Sequence, residues 1–181
     1  MQPPERSPRC YWMTGFSGAG KTTLAQAFAD AHNLKGQVRV VVLDGDVVRA
    51  GLCGDLGFSE ADRLENARRM AAVARLLVDA GLTVVVSAIS PSRAARAAAR
   101  AAFAPGTFWE VYVATPLATC MARDVKGLYN LAAQGQLPEL TGVGAPYEAP
   151  EAPDVILVGE GDVAVAVTDW LAQEDANWLP H

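Results

Sequence analysis

The sequence predicts an α/β fold, a mostly parallel five-stranded sheet with helices packed on both faces, and three observations predict it. Short apolar runs alternate with longer helical ones along the whole chain. The run "VRVVVLD" (Val38–Asp44) is almost continuously β-branched, as a strand buried on both faces requires. The first apolar run, "CYWMT", leads straight into a glycine-rich turn and then a helical stretch, the beginning of a strand–turn–helix unit.

The elements follow in order. "CYWMT" is the first strand, and a helix runs from Lys21 to about Ala31. After the second strand, a long helix begins near Ser59, with apolar or small residues at Leu64, Ala67, Ala71, Ala74 and Val78. It stops at Gly81, a left-handed cap. "LTVVVSA" (Leu82–Ala88) is the third strand. "SPSRAARAAARAAF" makes an alanine-rich helix with Ser90 as N-cap and Pro91 at the first helical position. "FWEVYVA" (Phe108–Ala114) is the fourth strand, and Pro116 opens another helix. "DVILV" supplies the fifth strand before a final helix near Ala164–Gln173.

Residues 135–153 break this rhythm, with three glycines and four prolines and no periodicity. A loop of this length in a compact domain is either a lid or a solvated excursion. The 181 residues fit one domain, with loose ends before Cys10 and after Asn177.

Composition narrows the chemistry. Apolar residues make up 51% and charged ones 19%, which is globular usage. A formal net charge of −5 argues against general binding to nucleic acid, so an anionic ligand needs a local cluster of cations. No apolar run approaches the ~20 residues of a spanning helix, and no signal-peptide core is present, so no membrane partner is expected. Cys10, Cys53 and Cys120 lack metal-like spacing. The expectation is a cytoplasmic enzyme.

The turn after the first strand reads "GFSGAGKTT". Gly15-x4-Gly20-Lys21-Thr22 fits the phosphate-binding loop, G-x-x-x-x-G-K-[ST]. Glycines allow the backbone to curl so that successive N–H groups of Gly15, Phe16, Ser17, Gly18, Ala19 and Gly20 point at a triphosphate. The helix that follows, opening at Lys21, Thr22 and Thr23, adds the positive end of its dipole. Lys21 reaches the outer phosphates and the Thr22 hydroxyl ligates magnesium. The fold class is therefore of the P-loop NTPase type, three-layer α/β/α, with ATP and Mg2+ as expected cofactors.

The acceptor must lie at the carboxyl ends of the strands, where open α/β sheets gather ligands. The second strand ends in "LDGD", so Asp44 and Asp46 stand there either as a turn chosen for its geometry or as acids for magnesium and an attacking hydroxyl. Arg49 and the run "GDLGFSEADRLENARR" follow. A solvated helix face with Glu65 pairing Arg69 accounts for part of it. Arg63 and Asn66, three apart, also share a face able to hold an anion. Phe58 fits poorly as a hydrophobic staple, because its partner would be Arg63, and it reads equally as a surface for a base. Ser90 reads as an N-cap or as a group facing the cleft.

Beyond these motifs the chain resembles the adenylyl-sulfate kinases. The resemblance is carried by "GFSGAGKTT", "LDGDVVRAGLCGDLGFSEADRLENARR", "AISPSRAAR", "EVYVATPLATCMARDVKGLY" and "LTGVGAPYEAPE", in the family's order and spacing over most of Trp12 to Pro153. It implies transfer of the ATP γ-phosphate to the ribose 3′-hydroxyl of adenylyl sulfate, giving 3′-phosphoadenylyl sulfate and ADP in sulfate assimilation. It implies Lys21, Asp46 and Ser90 at the chemistry, Thr22 and Asp46 at magnesium, and Arg123 beside the nucleotide. Arg49, Arg63 and Asn66 resemble the grip on phosphosulfate and ribose, and Phe58 one face of an adenine clamp. Asp44, Ile89, Ser90 and Leu140 fall on the substrate side, and Lys126, Gly127 and Leu128 resemble lid residues. A homodimer is implied as well.

Departures from the family pattern are Val47 and Ala50 in "DGDVVRAGL", Ala88 before the "ISP" turn, Asn130 and Leu131 after "KGLY", and Leu140 for the aromatic before "TG". They leave open a shift to another nucleotide or hydroxylated metabolite. A nucleotide-binding module without turnover is a further alternative, against which Lys21, Thr22 and Asp46 all speak.

Overall fold

The computed structural model describes residues 7–35 and 39–176. Strands β1 (Cys10–Thr14), β2 (Val40–Asp44), β3 (Thr83–Ser87), β4 (Phe108–Val113) and β5 (Val155–Leu157) form one sheet in the order β2-β3-β1-β4-β5. Every pairing is parallel. The fold class read from the sequence is the one found. Val38, the expected first residue of the second strand, lies outside the described residues, as do 1–6 and 177–181 of the expected loose ends.

β1 is central and all five of its residues are buried, so its side chains must be apolar on both faces. Alternation divides them. Tyr11 and Met13 join the core under α1 (Lys21–Lys35) and α7 (Val163–Ala176), where Trp170 stacks on Phe28 at 3.9 Å between ring centroids. Cys10 and Trp12 join the opposite core under α3 (Glu60–Asp79) and α4 (Arg93–Arg100). These two cores lie between the sheet and the helical layers on its two faces. The three cysteines are buried and none is in a disulfide. Among the described residues no helix is long and apolar enough to cross a membrane.

One expected boundary is wrong. Ser92, not Ser90, caps α4, its Oγ accepting from the Ala95 amide at 3.3 Å. Ser90 is unable to start the helix. An N-cap holds extended backbone, as Ser92 does at φ −92°, whereas Ser90 sits at φ 43°. Two short helices went unforeseen, α2 (Gly45–Ala50) and α6 (Leu128–Ala133). Neither is long enough to show a 3.6-residue period. α5 (Leu117–Arg123) starts behind Pro116 as expected, and Gly81 turns left-handed (φ 89°) after α3. Leu64 was counted on the apolar stripe of α3, yet the buried stripe is Ala67, Met70, Ala71 and Ala74, and Leu64 is exposed.

Candidate active site

Thr14, Asp44, Ser87, Val113 and Leu157 are the last residues of the five strands, and because all pairings are parallel they gather at one edge of the sheet. Above that edge lies a cleft of about 980 Å³. One side is the phosphate loop. Gly15 (φ 151°) passes so close to β4 that a Cβ there would stand 2.6 Å from the Val113 carbonyl oxygen, so only glycine fits. Ser17, Gly18, Gly20, Lys21, Thr22 and Thr23 line the cleft, whereas Gly15, Phe16 and Ala19 lie behind it as support. The Lys21 ammonium donates to the carbonyls of Gly15 (2.9 Å) and Phe16 (2.6 Å). Burial, and secondarily the nearby Lys126 ammonium, lower its pKa to about 8. Arg123, at the end of α5, lines the same side and donates to the Gly159 carbonyl at 2.8 Å.

The floor carries oxygen donors. Asp44 caps α2, its Oδ1 accepting from the Asp46 amide at 2.9 Å. Its Oδ2 accepts from the Thr22 hydroxyl at 2.7 Å, and Ser87 Oγ stands 3.1 Å from the same hydroxyl. The carboxylate touching Thr22 is thus Asp44, while Asp46 is engaged by the Lys126 ammonium, which reaches down from the segment before α6. Among the described residues no cluster of three His, Cys, Asp or Glu side chains is placed to hold a metal alone. Hydroxyl and carboxylate oxygens facing a triphosphate suit Mg2+, which keeps water and phosphate oxygens in its shell.

The opposite wall carries an aromatic ring and two guanidinium groups. Phe58 is half exposed (54%), with the Arg49 guanidinium 4.6 Å and that of Arg63 5.8 Å from its ring centroid. Arg63 donates to the Phe58 and Glu139 carbonyls and to Thr141 Oγ1, tying α3 to the 135–153 loop. Asn66 is buried, and its Oδ1 finds no hydrogen-bond partner among the described residues. A buried amide oxygen left unpaired beside a cleft is a place for a ligand donor. Glu65, by contrast, belongs to an exposed network with Arg68 and Arg69 that lowers its pKa to about 2, on the solvated side of the helix.

Ile89 and Ser90 also line the cleft. Ser90 Oγ accepts from the buried Trp12 Nε1 at 2.9 Å. Lys126 and Leu128 line the cleft, and Gly127, the left-handed N-cap of α6 (φ 68°), sits between them. Leu140 faces the cleft while packing against the core on the α1 side.

Several cleft residues escaped the sequence reading. Ser87 is signalled only by being the one hydroxyl closing an apolar strand. Gly159 to Asp162, in the loop after β5, carry no motif, and only their place at a strand's carboxyl end points to them. Tyr129 reaches the phosphate loop by donating to the Ser17 carbonyl at 2.9 Å, a contact no local spacing announces.

A family model described as adenylylsulphate kinase matches residues 7–158. The chain is 51% identical over 167 residues to an adenylyl-sulfate kinase of Citrobacter koseri, covering 91% of this chain and 83% of that protein. Its structure is similar to that of the Mycobacterium tuberculosis APS kinase CysC in complex with AMPPNP and APS, with TM-score 0.88 and 41% identity over 96% of this chain and 99% of that one. A hexameric APS kinase from Thiobacillus denitrificans aligns with TM-score 0.72 and 31% identity, over 96% of this chain and 30% of that one.

Proposed function

We propose that this chain, which belongs to the adenylylsulphate kinase family, moves the γ-phosphoryl of ATP to the ribose 3′-hydroxyl of adenylyl sulfate, releasing 3′-phosphoadenylyl sulfate and ADP. One observation carries the reading. A single cleft is lined by Lys21 and Thr22 on one side and by Asp46, Arg49, Phe58, Arg63, Asn66 and Ser90 on the other. A triphosphate held by the first set has its terminal phosphoryl facing an acceptor held by the second, which is the positioning that phosphoryl transfer demands.

Lys21 neutralises charge on the transferring phosphoryl. Asp46 accepts the proton of the 3′-hydroxyl as that oxygen bonds to phosphorus and the bond to ADP breaks. For this it must first be released by Lys126, whose ammonium is then available to the nucleotides. Magnesium, when bound, supplies charge neutralisation at the β- and γ-phosphates, with Thr22, Asp44 and Asp46 as the oxygens on hand. Arg49 and Arg63 suit the phosphosulfate, Phe58 the adenine face, and Asn66 Oδ1 a ligand N–H or hydroxyl. Ser90 donates to the acceptor. Its Oγ already accepts from Trp12 and no base among the described residues hydrogen-bonds it, which supports substrate contact rather than a covalent relay. A cytoplasmic location and self-association as a homodimer belong to the same reading.

The test is ADP release by the purified protein given ATP, Mg2+ and adenylyl sulfate. Release that depends on adenylyl sulfate is expected, and none would overturn the reading. Release with a different nucleotide instead would favour a shifted acceptor, for which Ala88 and Leu140, small or non-aromatic at the cleft wall, are the observations.

A further inference from the structure

The residue that organises the acceptor wall is one that touches no part of the cleft. Arg96 lies on α4, three positions from Arg93 and four from Arg100, and it is almost wholly buried (3% exposed). Its guanidinium reaches three separate elements. Nε donates to the Glu110 carboxylate on β4, one terminal nitrogen to the Ser90 carbonyl at 2.6 Å, and the other to the Glu148 carbonyl at 2.7 Å. Glu110 is itself only 14% exposed. A buried ion pair of this kind is costly unless every donor is used, and here the planar fork is spent on three directions at once.

The Ser90 carbonyl is the point of interest. Ser90 holds a left-handed backbone (φ 43°), a conformation that a non-glycine residue adopts only when its surroundings impose it. Its carbonyl takes a second bond from Thr14 Oγ1 at 3.0 Å, and the Ile89 carbonyl is 2.8 Å from the same hydroxyl. Thr14 Oγ1 in turn lies 2.9 Å from the Tyr147 hydroxyl of the 135–153 loop. Two bridges therefore connect the strained turn to that loop, one through Arg96 to Glu148 and one through Thr14 to Tyr147. The neighbours of Arg96 extend the seat, with Arg93 donating to the Ala149 carbonyl at 2.8 Å and Arg100 to Asp154 Oδ2 at 2.6 Å.

We infer that Arg96 is a positioning residue for the acceptor. It fixes the Ser90 carbonyl from behind, so that the Ile89–Ser90 backbone and the Ser90 hydroxyl face the cleft, and it seats the returning arm of the loop, through the Glu148 carbonyl, on the same guanidinium. The loop thus has a fixed end at residues 148–154. Its earlier part is tied to α3 by Arg63, which donates to the Glu139 carbonyl and to Thr141 Oγ1. The inference rests on the acceptor reading above, since it concerns which of the two substrates loses its grip.

The experiment compares KM for adenylyl sulfate with KM for ATP. Arg96→Lys keeps a cation against Glu110 but has no fork to span Ser90 and Glu148. It should raise KM for adenylyl sulfate by about tenfold or more, the worth of a charge-assisted hydrogen bond, with KM for ATP changed less than about twofold. Tyr147→Phe removes only the hydroxyl of the second bridge and should act in the same direction to a smaller extent, which tests the inference even if Arg96→Lys does not fold. No change in either KM, or an equal rise in both, would overturn it. An inactive wild type would instead overturn the acceptor assignment, whereas an active wild type with unaltered variants overturns the role of Arg96.

Discussion

The two walls of the cleft are built on opposite plans. The donor wall is a contiguous run, Gly15 to Thr23, in which Lys21 folds onto the carbonyls of Gly15 and Phe16 and the loop is tied outward through Thr22 to Asp44 and through the Ser17 carbonyl to Tyr129. The acceptor wall comes from separated segments carrying Asp46, Arg49, Phe58, Arg63, Asn66, Ser90 and Lys126, and it works through long side chains. The donor wall is set once the strand and helix around it form. The acceptor wall depends on ties between distant residues, such as Lys126 to Asp46 and Arg63 to Thr141. On the proposed reading the contrast separates affinity from specificity, since a backbone cradle suits any triphosphate and a wall of side chains can be shaped to one acceptor.

If the walls are separable, Asp46→Ala should lower turnover by about a hundred- to ten-thousandfold, the range for loss of a general base, with ATP affinity nearly unchanged. Steady-state kinetics and ATP binding by calorimetry check this, and a parallel loss of ATP affinity would break the separation.

A smaller effect tests one link between the walls. Lys21 in the free protein has a pKa lowered to about 8 by burial and by Lys126, so its charge is lost as pH rises through that value. Affinity for an anionic triphosphate should therefore be complete below the midpoint and fall above it, by up to about tenfold between pH 7 and pH 9. Lys126→Met removes the second cause and should move the midpoint upward. An unshifted profile would mean that the two cations do not sense each other.

The smallest effect concerns Leu140. Leu140→Phe adds a second aromatic ring to the cleft that Phe58 lines, and aromatic stacking of about 0.5–1.5 kcal/mol should tighten adenylyl sulfate binding by about two- to tenfold. Unchanged or weaker binding, measured as KM, would show that the side chain at 140 serves the core on the α1 side and not the base.

How much was legible follows the same division. The phosphate loop could be read outright because its geometry depends on glycine positions nine residues or fewer apart. The strands were legible as apolar runs, although only the inner ones owe those runs to burial on both faces: β2, expected to be covered on both sides, lies at an edge of the sheet and is mostly half-buried, and β5 at the other edge leaves Ile156 exposed. Ser90 was misjudged as a cap because local pattern favours a serine before a proline, while its actual backbone is imposed by Thr14 and Arg96 from other elements. Arg96 itself gave no signal, being one arginine among several in an alanine-rich helix. The resemblance to a family located Arg63 and Asn66, but not that one ties down the 135–153 loop and the other leaves an amide oxygen open.

By itself, the sequence determined the sheet, its two helical layers and the nucleotide cradle, since each rests on periodicity or on backbone freedom within a few neighbouring residues. Only the tertiary structure decided which carboxylate meets Thr22, which cation restrains Asp46 and what holds the Ser90 turn in place. Those choices depend on distances between side chains up to 80 positions apart in the chain, and no local pattern encodes a distance that only folding brings about.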